Sequence, residues 1–188
     1  AKTAKSGEAK TETDESKLVA KYRTNAAASM AAISQAVDIA AASLVHDATE
    51  ELAEVMRVTL SERQRDWMVV GEKELLKQAP TQVLIDSLRS YLYRINVTVE
   101  HTGSASRAEM ATDPTRMTDS GYSAEVLFRL MEYGGQISVG GKRYRLPPHP
   151  HWRRVIAAVQ QAGSERAEAW MKRLVAEVQS RLAVLPRK

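Results

Sequence analysis

From Leu18 to about Leu60 the positions Leu18, Tyr22, Ala26, Met30, Ile33, Val37, Ala40, Leu44, Ala48, Leu52, Val55 and Thr59 follow one another in steps of three and four. Such steps keep side chains on one face of a helix. Residues 26–42 are rich in alanine, the strongest helix former, whose small side chain also lets a neighbouring backbone come close. At ~1.5 Å per residue, an unbroken helix of this length outruns the width of a small domain. It must therefore break or project.

The remaining sequence bounds what it can project from. A chain of 188 residues with 44% apolar content supports one ordinary core extended by an arm. The organisation expected is a polar tail over 1–16, a helical arm over 17–60 and a core domain over 61–188. The tail has almost nothing to bury and is expected to be ordered only where a partner holds it. Ala1 is taken as the mature end left by removal of a starting methionine. The first residues lack the apolar stretch of a signal peptide, and no run is expected to be long and uncharged enough to span a bilayer, so the expectation is a soluble protein with no membrane partner. Absence of cysteine excludes disulfides, thiolate nucleophiles and sulfur-rich zinc sites. Net charge is +4 but uneven: residues 1–60 carry seven Lys/Arg against nine Asp/Glu, and residues 152–188 eight against three.

Past the arm, Ser61 is predicted to cap a helix over 62–78, with Gly71 or Pro80 as breaks and a second helix over 81–91. The alternation in Tyr91–Glu100 predicts a half-buried strand, and residues 101–121 read as a long loop. Ser123 is predicted to cap a helix carrying Val126, Leu127, Leu130 and Met131, closed at Gly134-Gly135 by a left-handed turn. Two alternating strands flank Gly140-Gly141, the pattern of a tight hairpin, and Pro147-Pro148 end it. A final amphipathic helix runs from Trp152 to about Leu182, with Gly163-Ser164 as a kink or division.

Catalytic signals are missing from this pattern. His46 and Asp47 are helix neighbours that point in different directions. His149 and His151, two apart, would share a side in an extended segment, but no third metal ligand lies at a recognisable spacing. Gly140-Gly141-Lys142 continues into a strand, where a phosphate loop would lead into a helix. Arg143, Tyr144, Arg145, Trp152 and Arg153 are the candidate interface, because arginine and aromatic residues are enriched where proteins meet; the same residue types grip nucleic acid. Neither a cofactor nor a metal is expected.

Three segments carry a resemblance. Asp86-Ser87-Leu88-Arg89-Ser90 leads into the strand Ile95–Val99. Phe128-Arg129-Leu130-Met131-Glu132-Tyr133-Gly134-Gly135 is a helix ending in glutamate, aromatic and glycine. Pro148-His149-Pro150-His151-Trp152-Arg153 is a proline-bounded entry into the last helix. In this order they resemble the tail-completion and tail-terminator (neck) proteins of long-tailed bacteriophages, over the C-terminal half to three fifths of the chain. Gly135 departs from the threonine common at that place in the family.

The resemblance implies an α/β fold of the α+β kind: a small antiparallel sheet packed by helices, with the alanine-rich arm and the long final helix attached. It implies a non-enzymatic structural virion protein, assembled in the host cytoplasm. Copies would form a homo-oligomeric ring, a hexamer or dodecamer, that joins or terminates the tail. Its partners would be neighbouring neck, portal-side or tail proteins, with non-specific contact to DNA in a channel. Glu132, Tyr133, Gly134, Gly135, Pro148, His149 and Pro150 are its structural motif. A DNA-associated packaging or regulatory factor is the alternative, and a small hydrolase the third reading.

Overall fold

The computed structural model describes residues 14–92, 95–111 and 122–184. Helix α1 runs without a break from Asp14 to Asp66, about 80 Å at the usual rise. The serine at position 61 does not start a new helix. The helical path continues through a π-helical turn, Trp67–Gly71, into α2, Glu72–Leu76. The wide turn accommodates Trp67, whose ring lies over Gly71 so closely that a Cβ there would stand 2.1 Å from it. Gly71 is thus a packing residue and not a break. The chain does turn at Ala79, which has a positive φ of 48°, and at Pro80.

Helix α3, Gln82–Leu92, is strongly amphipathic, with Leu84, Leu88 and Leu92 on its buried side. Strands β1, Asn96–Thr102, and β2, Ala105–Ala111, form an antiparallel hairpin in which Asn96 pairs with Ala111 and Thr102 with Ala105. This corrects the long loop expected over 101–121, whose part from 112 onward lies outside the described residues. Helix α4, Ala124–Tyr133, begins as expected: the Ser123 hydroxyl accepts from the Val126 N–H. Strands β3, Gly135–Val139, and β4, Lys142–Leu146, form a second hairpin around Gly140 and Gly141, both with positive φ. The expected single sheet is therefore two separate two-stranded ones. Helix α5, Trp152–Ala183, passes Gly163-Ser164 unbroken, the Ser164 hydroxyl bonding back to the Gln160 carbonyl.

The fold is mixed α+β and mostly helical. Its core gathers Met56 and Leu60 of α1, Trp67, Leu75, three leucines of α3, Ile95, Met110, Leu127, Met131, Ile137, Tyr144, Leu146 and Val155. Side chains close both edges of the second hairpin. The Gln78 amide pairs with Arg145 as a neighbouring strand would, accepting from its N–H and donating to its carbonyl, each at 2.7 Å. On the other edge the Tyr122 hydroxyl accepts from Ser138 N–H and donates to its carbonyl. Each edge thus has the N–H and carbonyl of one residue already paired, which blunts it as a template for a further strand.

Helices α1 and α5 lie antiparallel. Arg63 donates to the Pro150 carbonyl near one end, and Glu51 receives Trp170 Nε1 and Arg173 further along. Toward the N-terminus the last buried residue of α1 is Ala36; from Ser16 to Gln35 every residue is exposed except half-buried Ala32. The boundary expected at residue 60 thus moves. Ala53, Met56 and Leu60 belong to the core, and only the stretch before Ala36 projects.

That projection carries Leu18, Val19, Tyr22, Met30 and Ile33 in the open. Between Arg23 and Asp47 the sole charged residue is Asp38. One 18-residue window within residues 16–76 has mean hydropathy 1.5 and is 11% buried. By length and composition it is apolar enough to cross a membrane, which corrects the expectation that no such run exists. Residues 36–47 nevertheless pack on α5, where Arg173 and Glu177 line the same groove as Ala40 and Leu44.

Candidate functional site

Among the described residues the densest polar construction centres on Glu132, in the last turn of α4. Gly134 ends the helix with φ 75° and ψ 161°, a glycine-specific extended conformation and not the left-handed turn expected, and Pro148 packs where a Cβ would project. The hairpin then returns the backbone beside α4, and His149 N–H donates to the Met131 carbonyl at 2.6 Å. This brings Glu132 under the start of α5. Its carboxylate accepts from the backbone N–H groups of His151 at 2.7 Å, Trp152 at 3.0 Å and Arg153 at 3.2 Å. Arg153 adds Nε at 3.1 Å and donates from Nη2 to the Glu132 carbonyl.

A helix start leaves its first N–H groups without partners and carries positive partial charge. At α5 no side chain of the N-cap residue His151 answers them; a carboxylate from another helix does. Glu132 is only 1% exposed. Burial by itself would raise its pKa, but the donors from His151, Arg153 and Trp152 outweigh it and hold the carboxyl below its ordinary value. Tyr133 lies beneath the Arg153 guanidinium, 5.3 Å from ring centre to Cζ.

Two imidazoles complete the node. His149 Nε2 donates to the Arg63 carbonyl at 3.1 Å, and its ring meets Trp67 edge-on at 5.5 Å and His151 at 5.0 Å. His151 is 1% exposed and its Nε2 has no hydrogen-bond partner. Burial, and then the neighbouring His149, pushes its pKa down to about 4; burial lowers His149 as well. Both rings are therefore neutral at pH 7. Among the described residues no group of three or more His, Asp or Glu side chains is placed to hold a metal.

The structure brings together Glu132, Tyr133, Gly134, Pro148, His149, Pro150, Trp152 and Arg153. Gly135 continues directly into β3, where a Cβ would meet Leu130. The other candidate interface residues divide. Tyr144 is buried in the core, its hydroxyl without a partner, so it presents no ring to a neighbour, contrary to expectation. Strand alternation puts Tyr144 and Leu146 inward and leaves Arg143 and Arg145 side by side on the outer face. Trp152 is exposed at the start of α5.

A second polar cluster was not legible in the sequence. On the hairpin β1–β2, His101 Nδ1 lies 2.8 Å from the Ser106 hydroxyl and its Nε2 3.2 Å from Glu50 of α1. His46 donates to the Gly103 carbonyl, and its ring lies tilted against His101, 4.5 Å between centres. The serine, histidine and carboxylate stand in hydrolase order, with the two ring nitrogens exchanged. A hydrolytic serine stands on a strained turn beside N–H donors. Ser106 is instead an ordinary ladder residue opposite His101. The cluster fastens the hairpin to α1.

Compared with known proteins, the chain matches no family model, no curated protein and no solved structure.

Proposed function

We propose that the chain is a non-enzymatic assembly protein, a structural component of a bacteriophage neck or tail-completion complex that forms a homo-oligomeric ring of hexamer or dodecamer size. The observation that carries the assembly reading is the projecting part of α1, about 30 Å long over residues 16–35, with Leu18, Tyr22, Met30 and Ile33 exposed. An exposed apolar face of that extent marks a surface that a partner covers. The phage assignment rests on the order of the segments around Leu88, Glu132 and Pro148. The Glu132 node supports a rigid, load-transmitting role, since it ties α4, the second hairpin and α5 together. The virion is then its place of action, with neck, portal-side or tail proteins as neighbours.

Arg143 and Arg145, paired on the outer face of β4, favour one extension: contact with an acidic partner or with DNA in the channel. Electron microscopy of the purified protein tests the main reading, with rings as the expected outcome. A monodisperse monomer whose duplex-DNA affinity falls steeply with salt would replace it with a DNA-associated packaging or regulatory factor.

A further inference from the structure

We infer that the projecting arm of α1 pairs antiparallel with the same arm of a second copy, about a two-fold axis passing between Asn25 and Ala26. The argument starts where the intramolecular pair stops. Ala40 lines the α1–α5 groove with Leu174 and Ala176, and Ala36 is buried one turn earlier. Counted back in steps of three and four, the same face continues through Ile33, Ser29, Ala26, Asn25, Tyr22 and Leu18, all exposed. The helix pair thus has a seam longer than the described part of α5 covers, apolar at Leu18, Tyr22, Ala26 and Ile33 and polar at Asn25 and Ser29.

The spacing of that seam is its own mirror image. An antiparallel copy centred between Asn25 and Ala26 sets Leu18 against Ile33 and Tyr22 against Ser29, so large side chains meet at the ends or lie over a small one. Self-complementarity of this kind is what a two-fold contact requires. The ends agree as well. The copy's helix runs in the direction of α5 and continues its line, so its N-terminal end, Asp14-Glu15-Ser16-Lys17, meets the C-terminal end of α5. The two helix dipoles then lie head to tail, which is favourable. A lipid bilayer is the competing occupant, but it would have to envelop residues 36–47 and strip them from Arg173 and Glu177.

This deepens the assembly reading, on which it rests only in requiring a partner. The chain contains no cysteine, so single-cysteine variants report cleanly. Leu18→Cys and Ile33→Cys, mixed and treated with a short thiol crosslinker, are expected to give the mixed dimer. Leu18→Cys alone is expected to give none, because its two copies would lie about 22 Å apart. Ile33→Glu is expected to lower the sedimenting mass twofold while the helical circular dichroism stays unchanged, since Ile33 is exposed within one chain. Crosslinking of Leu18→Cys to itself would indicate a parallel pair and overturn the proposal. So would absence of the mixed dimer, or flotation of the protein with phosphatidylcholine vesicles. Rings on grids without the mixed crosslink would sink the arm pairing and leave the assembly reading; a monomer in every preparation would remove both.

Discussion

At the scale of single residues, Glu132 is the contact on which most of the others depend. Replacing it by alanine strands three backbone donors at the start of α5 and frees Arg153. The expected loss is roughly 2–4 kcal/mol in urea unfolding, with Glu132→Gln intermediate because one oxygen still accepts. His151 gives the molecule an acid sensitivity of definite sign. Its folded pKa of about 4 lies below the ~6.5 of an unfolded histidine, so between those values the unfolded chain binds more protons. Stability should be complete above about pH 6.5 and fall toward pH 4, by on the order of 3 kcal/mol. His149 contributes with the same sign, and the depressed Glu132 extends the loss further into acid. Unfolding midpoints measured from pH 7.5 to 4 check this, and His151→Gln should flatten the profile.

At the scale of elements, the π-helical turn depends on Trp67 and Gly71 fitting together. Gly71→Ala should cost about 1–3 kcal/mol by overpacking, read as a lower thermal midpoint; an unchanged midpoint would mean that the turn relaxes freely. What the sequence reveals about elements follows from how local their signals are. The start of α4 at Ser123, its stop at Gly134, the hairpin at Gly140-Gly141 and the exit at Pro147-Pro148 each depend on a few adjacent residues, and all are legible. Strand β2 is not. Ala105-Ser106-Arg107-Ala108 has small and polar residues with low strand preference, and it is a strand because β1 and α1 hold it there. Ser61 illustrates the opposite error: a favourable cap residue has no effect inside a helix whose flanks are buried. The destination of Glu132 was equally hidden, since its partners lie 19 to 21 residues away and meet it only after the hairpin has turned. Gln78 and Tyr122, closing the sheet edges, give no sequence signal for the same reason.

At the scale of the whole molecule, the arm and the body separate near Ala36 and not at residue 60. Deleting residues 1–35 should leave the unfolding midpoint nearly unchanged and weaken association. Deleting 1–60 should abolish cooperative unfolding, because Ala53, Met56 and Leu60 leave with it; calorimetry and sedimentation of both variants distinguish the two. If arms pair two-fold while bodies close a ring, the combined symmetry is dihedral, two rings joined through their arms. The long partnership of α1 with α5 also has a consequence in time. Glu51 is bonded to Trp170, 119 residues later in the chain. At a synthesis rate of roughly 5–20 residues per second, α1 waits about 6–24 seconds for the helix that covers it. Throughout that interval the nascent chain offers a long apolar helix to whatever is nearby, so the ribosome-bound stage, more than the finished fold, is where this protein most needs a chaperone or an early encounter with its own kind.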